Sequence, residues 1–248
     1  MRFLSLVAFG TALIILPGSG FAQNTIFVPT AQHPSIQSAV NVAQNGDLVV
    51  VSPGTYFENI DFIGKAITVM GFGPGVSIID GAGSGSVVSF QTNEGPNSIL
   101  EGFTIQNGSG TPVLLNVGVG PDRIGGGIFV FGSFFSPPTF GTVVISPTIR
   151  NCQITGNAAA RGAGVSVFGF AEVSLEDCVI ENNSAVVTLT PTTLGGGVHG
   201  DQHCKAVIER CIVRQNSAKD LANNRLTLRP LWAKASSSTR AGCRAAAG

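Results

Sequence analysis

Three stretches of this chain are copies of one another: residues 149–158 (IRNCQITGNA), 175–185 (LEDCVIENNSA) and 208–218 (IERCIVRQNSA). Aligned on Cys152, Cys178 and Cys211, each copy has an aliphatic residue three before the cysteine (Ile149, Leu175, Ile208). Another stands two after it (Ile154, Ile180, Val213), and an asparagine five after it (Asn157, Asn183, Asn216). GAGV at 162–165 and GGGV at 195–198 follow the first two copies. A fainter copy at 100–108 (LEGFTIQNG) carries Phe103 at the cysteine position and is followed by GGGI at 125–128. The steps between copies, 49, 26 and 33 residues from Phe103 through Cys152 and Cys178 to Cys211, keep a fixed strand and vary the loops, as solenoids do.

A unit this small and glycine-rich cannot bury an apolar face alone, so it must stack on its neighbours. Short runs of Val, Ile and Phe broken by Gly and Asn read as strands, and successive copies then run parallel, about 4.8 Å apart. Equivalent residues come to lie above one another. That gives the repeated asparagine a role: at a bend its amide satisfies backbone groups and bonds the asparagine of the next coil, for roughly 1 kcal/mol per bond. The GGG strings allow the next corner to take positive φ.

With this pattern over residues 26–218, about three quarters of the chain, the sequence resembles the right-handed parallel β-helix proteins, the pectate-lyase-like solenoids. The fold class expected is all-β: a right-handed parallel β-helix with a short N-terminal capping helix. The segment GDLVVVSPGTYFENIDFIGKAITVMG at 46–71 is similar to the opening coil of many exported β-helix proteins, with strands expected at 48–51, 56–60 and 67–70. Before it, Ile36, Ala39, Val40 and Ala43 recur at helical spacing between Pro34 and Gly46, which places the capping helix at 35–45. Asp47, Tyr56 and Glu58 are read as braces of this first coil.

Both termini differ from the repeats. Residues 1–22 have Arg2, an apolar run to Leu16, a Pro17-Gly18 break and small residues at Gly20 and Ala22, the layout of a secretory signal peptide. The expected domain is therefore 23–218, in a secreted, periplasmic or cell-surface protein with no span after cleavage. From Lys219 to Gly248 the repeat stops in mid-coil and gives way to an Ala-, Ser- and Arg-rich tail without acids after Asp220. The tail is read as a disordered or aberrant end, truncated or frameshifted, outside the repeat fold.

Charge is balanced, 14 basic against 14 acidic residues, which points away from nucleic acid as the main partner. Three of the five cysteines share one repeat position and are expected to form an inward stack, whereas Cys204 and Cys243 have no evident partner.

The resemblance implies chemistry on acidic glycans: a base removing the proton α to a uronate carboxylate, and commonly calcium held by acidic oxygens. The candidate catalytic residues are Asp177, Arg210 and Arg214, and the candidate calcium ligands Glu176, Asp177 and Glu181. Asp177 over Arg210 and Glu181 over Arg214 is equally what cross-strand charge pairing produces. The Phe-rich loop at 131–140 supplies Phe131, Phe134 and Phe135 as candidate sugar-stacking rings, or else a local hydrophobic plug. The paired aspartates and the other catalytic strings of hydrolases and esterases of this fold are absent from the sequence. Two readings follow: an exported lyase-like enzyme acting on or binding an acidic polysaccharide, or a non-catalytic extracellular solenoid that binds glycans or partners, adhesin-like. A groove with an unpaired Arg or Lys favours the first, and a face of paired charges the second.

Overall fold

A computed structural model of the chain describes residues 23–114, 121–132, 144–186, 195–201, 204–219 and 239–242. Residues 1–22 (read above as a signal peptide), Phe134 and Phe135, and the tail apart from Lys219 and 239–242 lie outside the described residues. The chain winds as a parallel β-helix. In one full turn Thr148–Arg150 enters the first sheet, Gln153–Thr155 the second, Ala158–Ala159 a short corner ladder and Val165–Phe168 the third. Glu172–Glu176 then re-enters the first sheet one layer on. Equivalent residues stack in register: Ile149 between Leu100 and Leu175, Ile154 between Ile105 and Ile180, Val165 between Ile128 and Val198. These inward columns make one continuous core. Each buried aliphatic side chain in it contributes about 1.5–3 kcal/mol.

Two left-handed corners bracket the second-sheet strand of every repeat. Gly102, Asn151, Asp177 and Arg210 (φ 77°, 49°, 52° and 53°) stand immediately before the cysteine column, and Asn107, Gly156, Asn182 and Gln215 (φ 57°, 65°, 56° and 54°) four residues after it. Just past the second corner lies the asparagine ladder. Asn157 Nδ2 donates to Asn183 Oδ1 at 3.0 Å, and Asn183 Nδ2 to Asn216 Oδ1 at 2.9 Å. Each amide also donates to a carbonyl of the preceding coil, Ile105, Ile154 or Ile180, and accepts a backbone N–H from that coil, of Gly108, Asn157 or Asn183.

The ladder explains the last glycine of each glycine string. A Cβ at Gly127, Gly164 or Gly197 would stand 2.9, 3.0 or 2.8 Å from the Nδ2 of Asn157, Asn183 or Asn216, so side chain and backbone occupy the space together. The middle position tolerates Ala163, which packs with Ala159, Ala185 and Ala218.

At the N-terminal end the helix Ile36–Val42 buries Ile36, Ala39 and Val40 over the first coil. Its Ser35–Ser38 capping box is joined by Glu58, whose carboxylate accepts the N–H groups of Ile36 and Gln37, both at 2.9 Å. This is why the strand expected at 56–60 is broken into Gly54–Phe57 and Ile60–Asp61: Glu58 turns to the helix, and Asn59 Nδ2 donates to the carbonyls of Ser84 and Ser86. Asp47 accepts from Asn24 N and Gln44 N, and Tyr56 Oη donates to Ser52 O, so both brace the first coil.

Two pairings are antiparallel. Thr111–Val113 and Asp122–Ile124 form a hairpin, and Thr239–Gly242 lies against Lys205–Glu209 at the far edge of the first sheet. The tail thus contributes a strand to that edge, running against the coils rather than adding one. Cys204 is disulfide-bonded, which corrects the reading that it has no partner; Cys152, Cys178 and Cys211 are free thiols.

Candidate functional site

Stacking one coil on another turns every outward position into a column, and the charged candidates fall on such columns. Arg210 binds Asp177 through two bonds, Nε to Oδ1 at 2.6 Å and Nη2 to Oδ2 at 2.9 Å. The hydrogen bond from Arg210 holds the Asp177 carboxyl below the usual range and pushes the guanidinium up. Arg214 Nε donates to Glu181 Oε2 at 2.7 Å while Gln153 Nε2 donates to Oε1 at 2.8 Å, and Arg214 first, then Gln153, holds Glu181 low. Glu176 accepts from Ser174 Oγ at 3.0 Å. Asp177 and Arg210 are therefore one coil-to-coil pair, and Arg214 belongs to another, with Glu181. Among the described residues no cluster of three or more His, Cys, Asp or Glu is placed to hold a metal ion. Every lysine and arginine whose side chain is described is engaged. Arg150 pairs with Glu101, Lys205 with Glu172, Arg161 with Asp122, and Lys65 and Arg123 donate to backbone carbonyls.

The outer face of the second sheet gathers several of these groups into a stripe in which polar side chains are interspersed with Ile78, Val179 and Ile212. One column runs Phe57, Asp80, Gln106, Thr155, Glu181, Arg214, and the column beside it includes Thr104 and Gln153. Gln106 Nε2 and Asn107 Nδ2 both donate to Asp80 Oδ2, at 2.8 and 2.7 Å. Burial raises the pKa of Asp80, but these bonds and one from Ala82 N outweigh it, so the group stays low. Thr104 Oγ1 donates to Gln153 Oε1 at 3.3 Å. At the N-terminal end of the stripe Phe57 is 71% exposed. Sequence reasoning passed over Phe57 because one aromatic in a strand carries no sign of facing out. Its phase against inward Tyr56 was the available signal.

The third sheet presents a different surface. Arg161 Nε and Nη2 donate to Asp122 Oδ2 at 3.1 and 3.0 Å, and Nη1 lies 3.8 Å from Asp201 Oδ2. Arg161 and Asp122 are buried, which ties the 111–124 hairpin to the coil behind it. Phe131 belongs here, its ring centroid 5.6 Å from Phe129 and 6.4 Å from Phe168, packed beside Ile124 as a plug. Next to the plug, Ser166 and His199 stack one coil apart with Ser166 Oγ and His199 Nε2 buried and without hydrogen-bond partners. Burial drives the His199 pKa down to about 4, with Arg161 adding to the effect and Asp201 opposing it. Here the Arg161–Asp122 pair holds the hairpin to the neighbouring coil, while Ser166 Oγ and His199 Nε2 are buried.

No protein-family model matches the chain, and no curated protein or solved structure does either.

Proposed function

We propose that this protein is an exported, non-catalytic β-helix that binds an extended neutral polysaccharide along the outer face of its second sheet. The observation that carries this reading is the state of the cations: every described Lys and Arg side chain is committed to a carboxylate or a carbonyl. Elimination on a uronate requires a free base at the α-proton and positive charge at the carboxylate. With every described cation engaged none is left to neutralise a uronate carboxylate, and over residues 23–218 carboxylates outnumber cations, so the coils repel a polyuronate rather than attract it. The less buried members of the second-sheet stripe, Gln106, Thr155 and Arg214, keep polar atoms at the surface of successive layers, flanked by an exposed ring at Phe57. That combination suits hydroxyl-rich chains, which are held by planar polar groups and by stacking on an aromatic face. The disulfide at Cys204 accords with the oxidising compartment that a cleaved leader implies.

Affinity electrophoresis through gels containing neutral glucans, xylans or mannans tests the reading, with polygalacturonate run in parallel with and without calcium. Retardation by a neutral polymer, weakened by Phe57→Ala, is the expected result. Retardation by polygalacturonate alone, or release of unsaturated uronides from it, overturns the proposal in favour of a lyase-like enzyme.

A further inference from the structure

The repeat cysteines form a column whose last two members are placed unlike the first pair. Every thiol leans back towards the preceding coil: Cys152 Sγ lies 3.8 Å from Leu100 O, Cys178 Sγ 3.6 Å from Ile149 O, and Cys211 Sγ 3.3 Å from Leu175 O. Cys211 reaches furthest, and the backbone N–H of Cys178 donates to its sulfur at 3.4 Å. Glu176 pairs with Glu209 and Val179 with Ile212 on either side, so Cys178 and Cys211 stand directly one above the other. Parallel-strand spacing of about 4.8 Å falls within the range of roughly 4.4–6.8 Å between Cα atoms that a disulfide spans. Exposure separates them too: Cys152 and Cys178 are buried, while Cys211 is only partly covered.

We propose that Cys178 and Cys211 are a peroxide-responsive pair that closes into a disulfide and clasps the last repeat coil to the one before it. In the first step the Cys211 thiolate attacks one oxygen of hydrogen peroxide. The S–O bond forms as the O–O bond breaks, and the departing hydroxide takes up a proton as water, leaving a sulfenic acid on Cys211. In the second step the sulfur of Cys178 attacks that of Cys211. The S–S bond forms, the S–O bond breaks, and the leaving oxygen departs as a second water with the Cys178 thiol proton. Two thiols are oxidised and one peroxide is reduced to two waters. Exposure orders the roles: Cys211 is only partly covered and Cys178 is buried. The adjacent Cys178 thiol draws Cys211 below the usual thiol range, and the adjacent Cys211 thiol, together with burial, pushes Cys178 above it, so the partly exposed sulfur is the nucleophile and the buried one resolves. Cys152 is buried one coil further off, between Phe103 and Cys178, so it does not meet the sulfenic acid on Cys211.

The test treats the purified full chain with limiting hydrogen peroxide, blocks remaining thiols by alkylation, and maps peptides without reduction. The expected product links the Cys178 and Cys211 peptides with loss of two hydrogens, Cys152 is recovered alkylated, and Cys211→Ser abolishes the link. A Cys211 that ends as sulfinic acid with Cys178 alkylated, a link from Cys152 to Cys178, or recovery of all three cysteines alkylated overturns the proposal. Because the mapping is decided on the unaltered chain, it does not depend on any variant folding.

Discussion

Replacing Asn183 by alanine probes the ladder at its centre. The side chain makes four hydrogen bonds: Oδ1 accepts from the backbone N and the Nδ2 of Asn157, at 3.1 and 3.0 Å, and Nδ2 donates to Ile154 O and Asn216 Oδ1, both at 2.9 Å. Not all four are equally costly to lose. Asn157 Nδ2 retains Ile105 O and Thr155 O, and Asn216 Oδ1 retains the backbone N–H of Asn183. The N–H of Asn157, in a residue only 1% exposed, is left with no acceptor, and Ile154 O loses a donor. At about 1–3 kcal/mol for each orphaned buried group, the expected loss is about 3 kcal/mol. With a urea slope of about 2–3 kcal/mol/M, the unfolding midpoint falls by about 1 M. Asn216→Ala, at the partly exposed end of the ladder where water replaces the lost partners, is expected to shift the midpoint by less than half as much. Equal midpoints for the two variants, or an Asn183→Ala midpoint within about 0.2 M of the parent at unchanged slope, would refute the claim that buried ladder bonds hold the coils together.

Three further outcomes follow from the same geometry. Gly164→Ala forces a Cβ to within 3.0 Å of both Asn183 Nδ2 and Ile180 Cγ2, so thermal unfolding should show a loss of about 1–3 kcal/mol. A thermal midpoint equal to that of the parent would mean the coils can spread. Arg161→Met takes the guanidinium away from the buried carboxylate of Asp122 and should lower stability by up to about 3–5 kcal/mol, whereas Arg210→Ala, on an exposed pair, should leave the denaturant midpoint where it is. The two variants behaving alike would contradict this ranking. His199 binds its proton at about 4 in the folded chain against 6.5 unfolded, so the unfolded state protonates first. The stability associated with neutral His199 is present above about pH 6.5 and is lost as pH falls towards 4, by up to about 3 kcal/mol. His199→Gln should flatten that part of a stability profile, and an unchanged slope between those two pH values would show that His199 does not carry it.

The reading of a parallel β-helix rested on Asn157, Asn183 and Asn216 recurring at one offset from Cys152, Cys178 and Cys211. Such an offset is legible because a solenoid converts distance along the chain into height. Once the coil length is known, a residue's neighbours above and below can be read off, and the Asp177–Arg210 and Glu181–Arg214 pairs followed from that rule alone. The rule does not reach contacts between parts of the chain that share no period. Arg161 stacks in register on Ile124 but reaches Asp122, two residues further into a hairpin, and Glu58 caps the helix at Ile36 because the chain turns outward after Phe57. The packing of Gly127, Gly164 and Gly197 against the asparagine amides is periodic, but each glycine sits just before a third-sheet strand and only the closed coil brings it face to face with the ladder. Nor does a repeat state which way a strand joins its edge. The antiparallel seat of Thr239–Gly242 on Lys205–Glu209 needs only free backbone donors and acceptors, and these any sequence can supply. Sequence alone therefore determined what stacks on what, since stacking depends on identity at a fixed interval. Tertiary structure decided what covers, caps and clamps the stack, since those contacts depend on the paths of loops whose lengths differ from coil to coil.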